Sequence, residues 1–150
     1  MPDLIFTDEE INSRSRTLLG LFWTTTVESL IDAVGEDRAV RILGPCMVKS
    51  GEAWGIKLGQ MFPLSNGEKG VADMLRLFHQ IMKLDAEVSG GPGRADVSIF
   101  NCPFTDCSET LCKLFDSFAE GLCRSLDPEL RLVRAKTNCQ PMACHWKLAR

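Results

Sequence analysis

The hydrophobic periodicity of this chain changes at Asp85, and that change limits the fold more than any other feature. Before it, apolar residues recur at three- and four-residue intervals, the spacing of one helix face; after it, two pairs of segments alternate at every second residue, the spacing of a strand. Thr7-Asp8-Glu9-Glu10 has the Thr-x-x-Glu form of a capping box and predicts a helix start. From there Ile11, Leu18, Leu19, Phe22, Trp23, Val27, Leu30, Ile31 and Val34 form one stripe that runs to Gly35, a C-terminal stop. The run Thr24-Thr25-Thr26 lowers helix propensity and predicts a bend. A second helix starts at about Glu36, with a kink or break expected at Gly44-Pro45, because proline cannot donate to the preceding turn. Its apolar face continues through Cys46, Met47, Ala53, Trp54, Ile56, Leu58 and Met61. Gly51, Gly55 and Gly59 are spaced by four, a bare strip that suits either tight packing on another helix or the wall of a ligand site. Val71, Met74, Leu75, Phe78, Ile81, Met82 and Leu84 define a third helix, with His79 on its flank.

Beyond Asp85, Ala86–Val88 and Ala95–Phe100 flank a glycine-rich connection and predict a hairpin. That connection lacks the Gly-x-x-x-x-Gly-Lys-Ser/Thr arrangement and precedes a strand, which excludes a phosphate cradle. Asp106 or Ser108 can cap a fourth helix whose core stripe is Leu111, Leu114, Phe115, Phe118, Ala119 and Leu122, ending near Ser125. Leu130–Lys136 and Cys144–Leu148 read as a closing strand pair, with Cys144, Trp146 and Leu148 facing the core and His145 and Lys147 facing away. The expected fold is a single α+β domain over residues 1–150. A helical part spans about 7–84 and a cysteine-rich α+β part about 85–150. The N-terminal helices pack on a small antiparallel sheet of two hairpins, and the fourth helix crosses it.

With 45% hydrophobic and 25% charged residues, 150 residues bury one core without covalent staples. A net charge of −3 gives no basic footprint for nucleic acid. No run of about 18 apolar residues offers a membrane span, and the start of the sequence lacks a basic segment followed by an apolar one, so a cytoplasmic protein is expected. Tyrosine is absent, which excludes tyrosine acid–base chemistry.

Six of the seven cysteines, Cys102, Cys107, Cys112, Cys123, Cys139 and Cys144, lie in the last third of the chain. In a reducing compartment they are buried thiols, metal ligands or reactive groups rather than disulfides. Cys112 and Cys123 are eleven residues apart on one helix, roughly 16 Å at about 1.5 Å per residue. Thiolates on one zinc ion stand no more than about 4.6 Å apart, so only one of that pair can join a given mononuclear centre. Cys139 and Cys144 flank a turn-like tetrapeptide and can close on one metal, joined by Cys123 and Cys102, with Cys107 or Cys112 as substitutes. Zinc or an iron–sulfur centre is the group such a set would hold. For a nucleophile, Cys102 or Cys107 near the start of the fourth helix is favoured, since a helix N-terminus stabilises a thiolate. His79, His145, Asp106, Glu109 or Asp116 would supply the base.

The stretch Asn101-Cys102-Pro103-Phe104, the helix through Cys112 and Gly121, Asp127-Pro128-Glu129-Leu130, Lys136 and Cys139-x4-Cys144-His145-Trp146 resembles the L-2-amino-thiazoline-4-carboxylic acid hydrolase family. The same segments are similar to the 4-vinyl reductase domain, a small-molecule-binding module, some versions of which hold zinc with cysteines near the closing hairpin. The chain departs from both groups in carrying Gln140-Pro141 where they have Gly-Asp, and from the sensor type in carrying Lys136 where it has a glutamate. The first resemblance implies a hydrolase that opens a small nitrogen- or sulfur-containing ring, with Cys102 as nucleophile or ligand and Asp106 or Asp116 assisting. The second implies a non-catalytic domain that binds a small-molecule ligand or a metal through Cys123, Cys139 and Cys144. A third expectation is a homodimer formed through an exposed apolar face of the N-terminal helices.

Overall fold

The computed structural model describes residues 7–65, 67–82, 84–91, 94–100, 108–138 and 143–149; the side chains of 16, 68, 90, 91, 94, 95, 134–138, 143–145 and 149 lie outside the description. Four helices and four strands follow one another as α1 (Asp8–Val34), α2 (Glu36–Met61), α3 (Gly67–Ile81), β1 (Ala86–Gly91), β2 (Arg94–Ile99), α4 (Glu109–Arg124), β3 (Arg131–Asn138) and β4 (Ala143–Ala149). This is the α+β order that the change of period at Asp85 predicts.

The start of α1 is the expected capping box. The Glu10 amide donates to Thr7 Oγ1 at 3.2 Å and the Thr7 amide donates back to Glu10 Oε2 at 2.9 Å. Gly35, at φ +83°, ends α1 by donating to the Ile31 carbonyl, and its own carbonyl accepts from Ala39 to open α2. A residue with a side chain adopts that conformation only under strain, which is why a single glycine can separate two long helices.

Neither expected interruption breaks its helix. Thr24, Thr25 and Thr26 lie inside an unbroken α1, because each hydroxyl bonds back to a carbonyl of the preceding turn, Leu21 or Phe22, rather than pulling the backbone out of the helix. Helix α2 likewise runs through Pro45. Proline removes one helical donor there, but the helix is held from outside by α4, and that tertiary contact outweighs the local cost.

The α2–α4 contact is built on glycine. A Cβ on Gly51 would overlap the Phe118 carbonyl oxygen, one on Gly55 would overlap the Ser125 side chain, and one on Gly121 would overlap the Val48 carbonyl oxygen. The bare strip of α2 therefore serves close helix packing rather than a ligand wall. Gly59 lies at the end of it, where a Cβ would be 4.0 Å from Leu126.

The sheet has the order β1-β2-β4-β3 with every pair antiparallel. The two hairpins meet along β2–β4, where Val97 stands opposite Trp146 and Ile99 opposite Cys144. Val97, Ile99, Trp146 and Leu148 point to one side and join Val71, Leu75, Cys123 and Leu130 in the main core, while Glu87, Ser89 and Lys147 are exposed on the other side. Alternation of buried and exposed residues thus turns one sheet face toward α3 and α4. Ser108, not Asp106, caps α4, accepting from the Leu111 amide at 3.2 Å. Among the described residues no helix is long and apolar enough to cross a membrane.

Candidate functional site

Aromatic side chains from four helices converge where α1 and α3 stand apart. Helix α1 supplies Leu19, Gly20 and Trp23, α2 supplies Met47 and Trp54, α3 supplies Phe78, Ile81 and Met82, and α4 supplies Phe115 and Phe118. Together they line a cavity of about 360 Å³ with no charged residue in its described wall. The aromatic rings brace one another edge to face or tilted. Trp54 lies 5.9 Å from Phe118 at 75° and 6.5 Å from Phe78 at 77°, and Phe78 lies 5.8 Å from Phe118. Such contacts add about 0.5–1.5 kcal/mol each beyond area burial, so the wall is held in shape by its own members.

The cavity exists because packing elsewhere is fixed first. Glycines draw α2 onto α4, and Val27 and Ile31 dock the second half of α1 beside Ala39, Leu111 and Leu114. Helix α3 is held on the other flank by the sheet, through Val71 and Leu75. The span left between α1 and α3 is wider than two side chains fill.

Behind Phe78 and Phe115, toward the sheet, His79 is buried, only 3% exposed. Its ring lies 6.5 Å from Trp146 at 28° and 5.6 Å from Phe78. Nδ1 is 2.6 Å from the Leu75 carbonyl oxygen, which can only accept, so Nδ1 carries the proton. Burial pushes the His79 pKa below its ordinary value of 6.5, partly opposed by that hydrogen bond. The unfolded chain therefore takes up a proton near pH 6.5 that the folded one refuses. The contribution of neutral His79 is fully present above about pH 6.5 and is lost as pH falls through the lowered folded value, by up to about 1.4 kcal/mol per pH unit. Urea unfolding at pH 7.5 and pH 5.5 should show a steeper loss for the native protein than for His79→Phe; equal losses would remove His79 as the cause.

Of the residues expected to carry chemistry, Cys102, Cys107, Asp106 and Cys139 lie outside the described residues, as do the side chains of Cys144 and His145. Cys123 is 0% exposed among the apolar side chains of the main core. Burial, with the charge of Glu120 adding to it, pushes its thiol up to about 12, so at neutral pH it is protonated and shielded. Cys112 is buried on the same helix. Among the described residues no group of three His, Cys, Asp or Glu is placed to hold a metal ion.

Asp116 accepts a hydrogen bond from Trp146 Nε1 at 2.8 Å, tying α4 to β4. Asp116→Ala should cost about 1–2 kcal/mol by removing this acceptor, and Asp116→Asn, which keeps an amide oxygen, less; urea unfolding of both variants checks the order. The start of α4 is also engaged. Glu28 Oε1 accepts from the Ser108 amide and Glu36 Oε2 from the Thr110 hydroxyl, both at 2.9 Å. Two carboxylates at that end offset part of the helix field that would favour a nearby thiolate.

The cavity was not legible as a cavity. Trp23, Trp54, Phe78, Phe115 and Phe118 read as ordinary helix stripes, and the one available signal is that each of the four helices carries a large aromatic on its stripe. The chain matches no known family model and no curated protein. Its site is therefore read from its own geometry.

Proposed function

We propose that this chain is a cytoplasmic small-molecule-binding domain that takes a neutral, largely apolar ligand between its four helices. The observation that carries this reading is the cavity of about 360 Å³ lined by five aromatic rings, within the size range of small-molecule sites. The absence of charge from the described wall sets the ligand class: burying an unpaired charge there would cost several kcal/mol, whereas flat apolar rings find stacking partners on every side. Met47 and Met82 add flexible, polarisable wall that adapts to ligands of different outline. A bicyclic aromatic burying about 250 Å² would gain about 6 kcal/mol at ~25 cal/mol/Å². After the cost of association, micromolar to sub-millimolar affinity follows.

The test is a titration with N-phenyl-1-naphthylamine, a neutral dye that brightens in apolar sites. Saturable one-to-one brightening with quenching of tryptophan emission is expected, because Trp23 and Trp54 stand in the wall. A dye that stays dark against the folded protein would overturn the reading.

A further inference from the structure

We propose that a second copy of this chain packs on the outward face of α1, forming an antiparallel helix pair about a two-fold axis. Successive helix residues turn by about 100°, which places Ile11, Ser15, Leu18, Phe22, Thr25 and Ser29 within about 40° of one line along the helix. All six are exposed, and none is charged over five turns. Val27 and Ile31, the buried residues of α1, lie on the opposite side. A surface helix normally turns its charged face to water. Here the line facing away from the core is uncharged, with exposed Arg14 about 60° to one side of it.

The hydroxyls do not make this face wet. Thr25 donates to the Leu21 carbonyl at 2.8 Å and Ser29 to the Thr25 carbonyl at 2.7 Å, so their donors are satisfied within the helix. On that line Ile11, Leu18 and Phe22 are 49%, 64% and 70% exposed, and Leu19 and Leu21, 67% and 57% exposed, flank it about 80° to either side. At on the order of 100 Å² each they leave about 500 Å² on one copy, and two copies reach about 1,000 Å², the size at which specific association begins.

Charge selects the orientation. A two-fold axis between residues 16 and 17 sets Ile11 against Phe22 of the partner subunit and Ser15 against Leu18 of the partner subunit. The acidic first turn, Asp8, Glu9 and Glu10, then faces an uncharged stretch, whereas a parallel pair would set acid against acid.

Sedimentation equilibrium of the full chain should give twice the 16.7 kDa monomer mass at roughly 100 μM protomer, since self-association is read only against concentration. The Leu18→Glu, Phe22→Glu double variant should weaken association at least about 100-fold while keeping the far-UV circular dichroism and, at concentrations where both proteins are monomeric, the urea midpoint, since both residues are exposed. A wild-type protein that is monomeric at that concentration overturns the proposal, and co-sedimentation of that monomer with phosphatidylcholine vesicles would assign the face to lipid instead. A dimer that survives the double substitution overturns the assignment to α1.

Discussion

Gly121→Val should leave the protein largely unfolded under conditions where the native chain is folded. Propensity alone points the other way, since valine is a better helix former than glycine by a few tenths of a kcal/mol. Packing decides. A Cβ at Gly121 meets the Val48 carbonyl and the Glu52 amide of α2, which are backbone atoms and cannot rotate aside. The helices must separate, and overpacking that ordinarily costs about 1–3 kcal/mol is joined by the loss of packing along the whole α2–α4 contact. Against a total stability of about 5–15 kcal/mol that is most of the fold. The milder Gly121→Ala should still lose about 2 kcal/mol or more, although alanine gains about 1 kcal/mol in an open helix. Gly20→Ala is the control, because a Cβ there meets nothing within 4 Å, and it should gain roughly 0.5–1 kcal/mol. Urea unfolding of the three variants reads these signs directly; a stabilised Gly121→Ala would mean that α2 and α4 are not in this contact.

Gly20→Trp should abolish ligand binding without harming the fold. Gly20 lines the cavity yet has open space where its side chain would grow. An indole placed there occupies volume that the ligand needs. N-phenyl-1-naphthylamine affinity should fall at least tenfold, equivalent to about 1.4 kcal/mol, with an unchanged or raised unfolding midpoint. Unaltered affinity in a folded Gly20→Trp protein would place the dye elsewhere.

These two glycines show what the sequence reveals and what it conceals. The class of fold follows from local signals: the Thr7–Glu10 box, the stop at Gly35, the shift from helical to alternating spacing at Asp85, and the strand pair around Trp146. Such features depend on neighbours a few residues apart. The continuity of α2 through Pro45 does not, because it is bought by α4, some seventy residues later. Burial of His79 is equally non-local, since it needs the sheet to close over α3. Periodicity identifies the inner face of each helix but not the distance to the next one. Leu19, Trp23, Phe78 and Phe115 therefore look the same in sequence whether they fill a core or line a gap. Cysteine spacing on α4 was informative in the same limited way, fixing Cys112 and Cys123 on one helix but not the apolar setting of Cys123.

A crystal structure of the protein soaked with 2-bromonaphthalene would locate the ligand by the anomalous signal of bromine. The expected peak lies between Trp23, Trp54, Phe78 and Phe115, with the bicyclic ring against their faces. A peak confined to the outward face of α1 or to the exposed side of the sheet, with the cavity left empty, would contradict it.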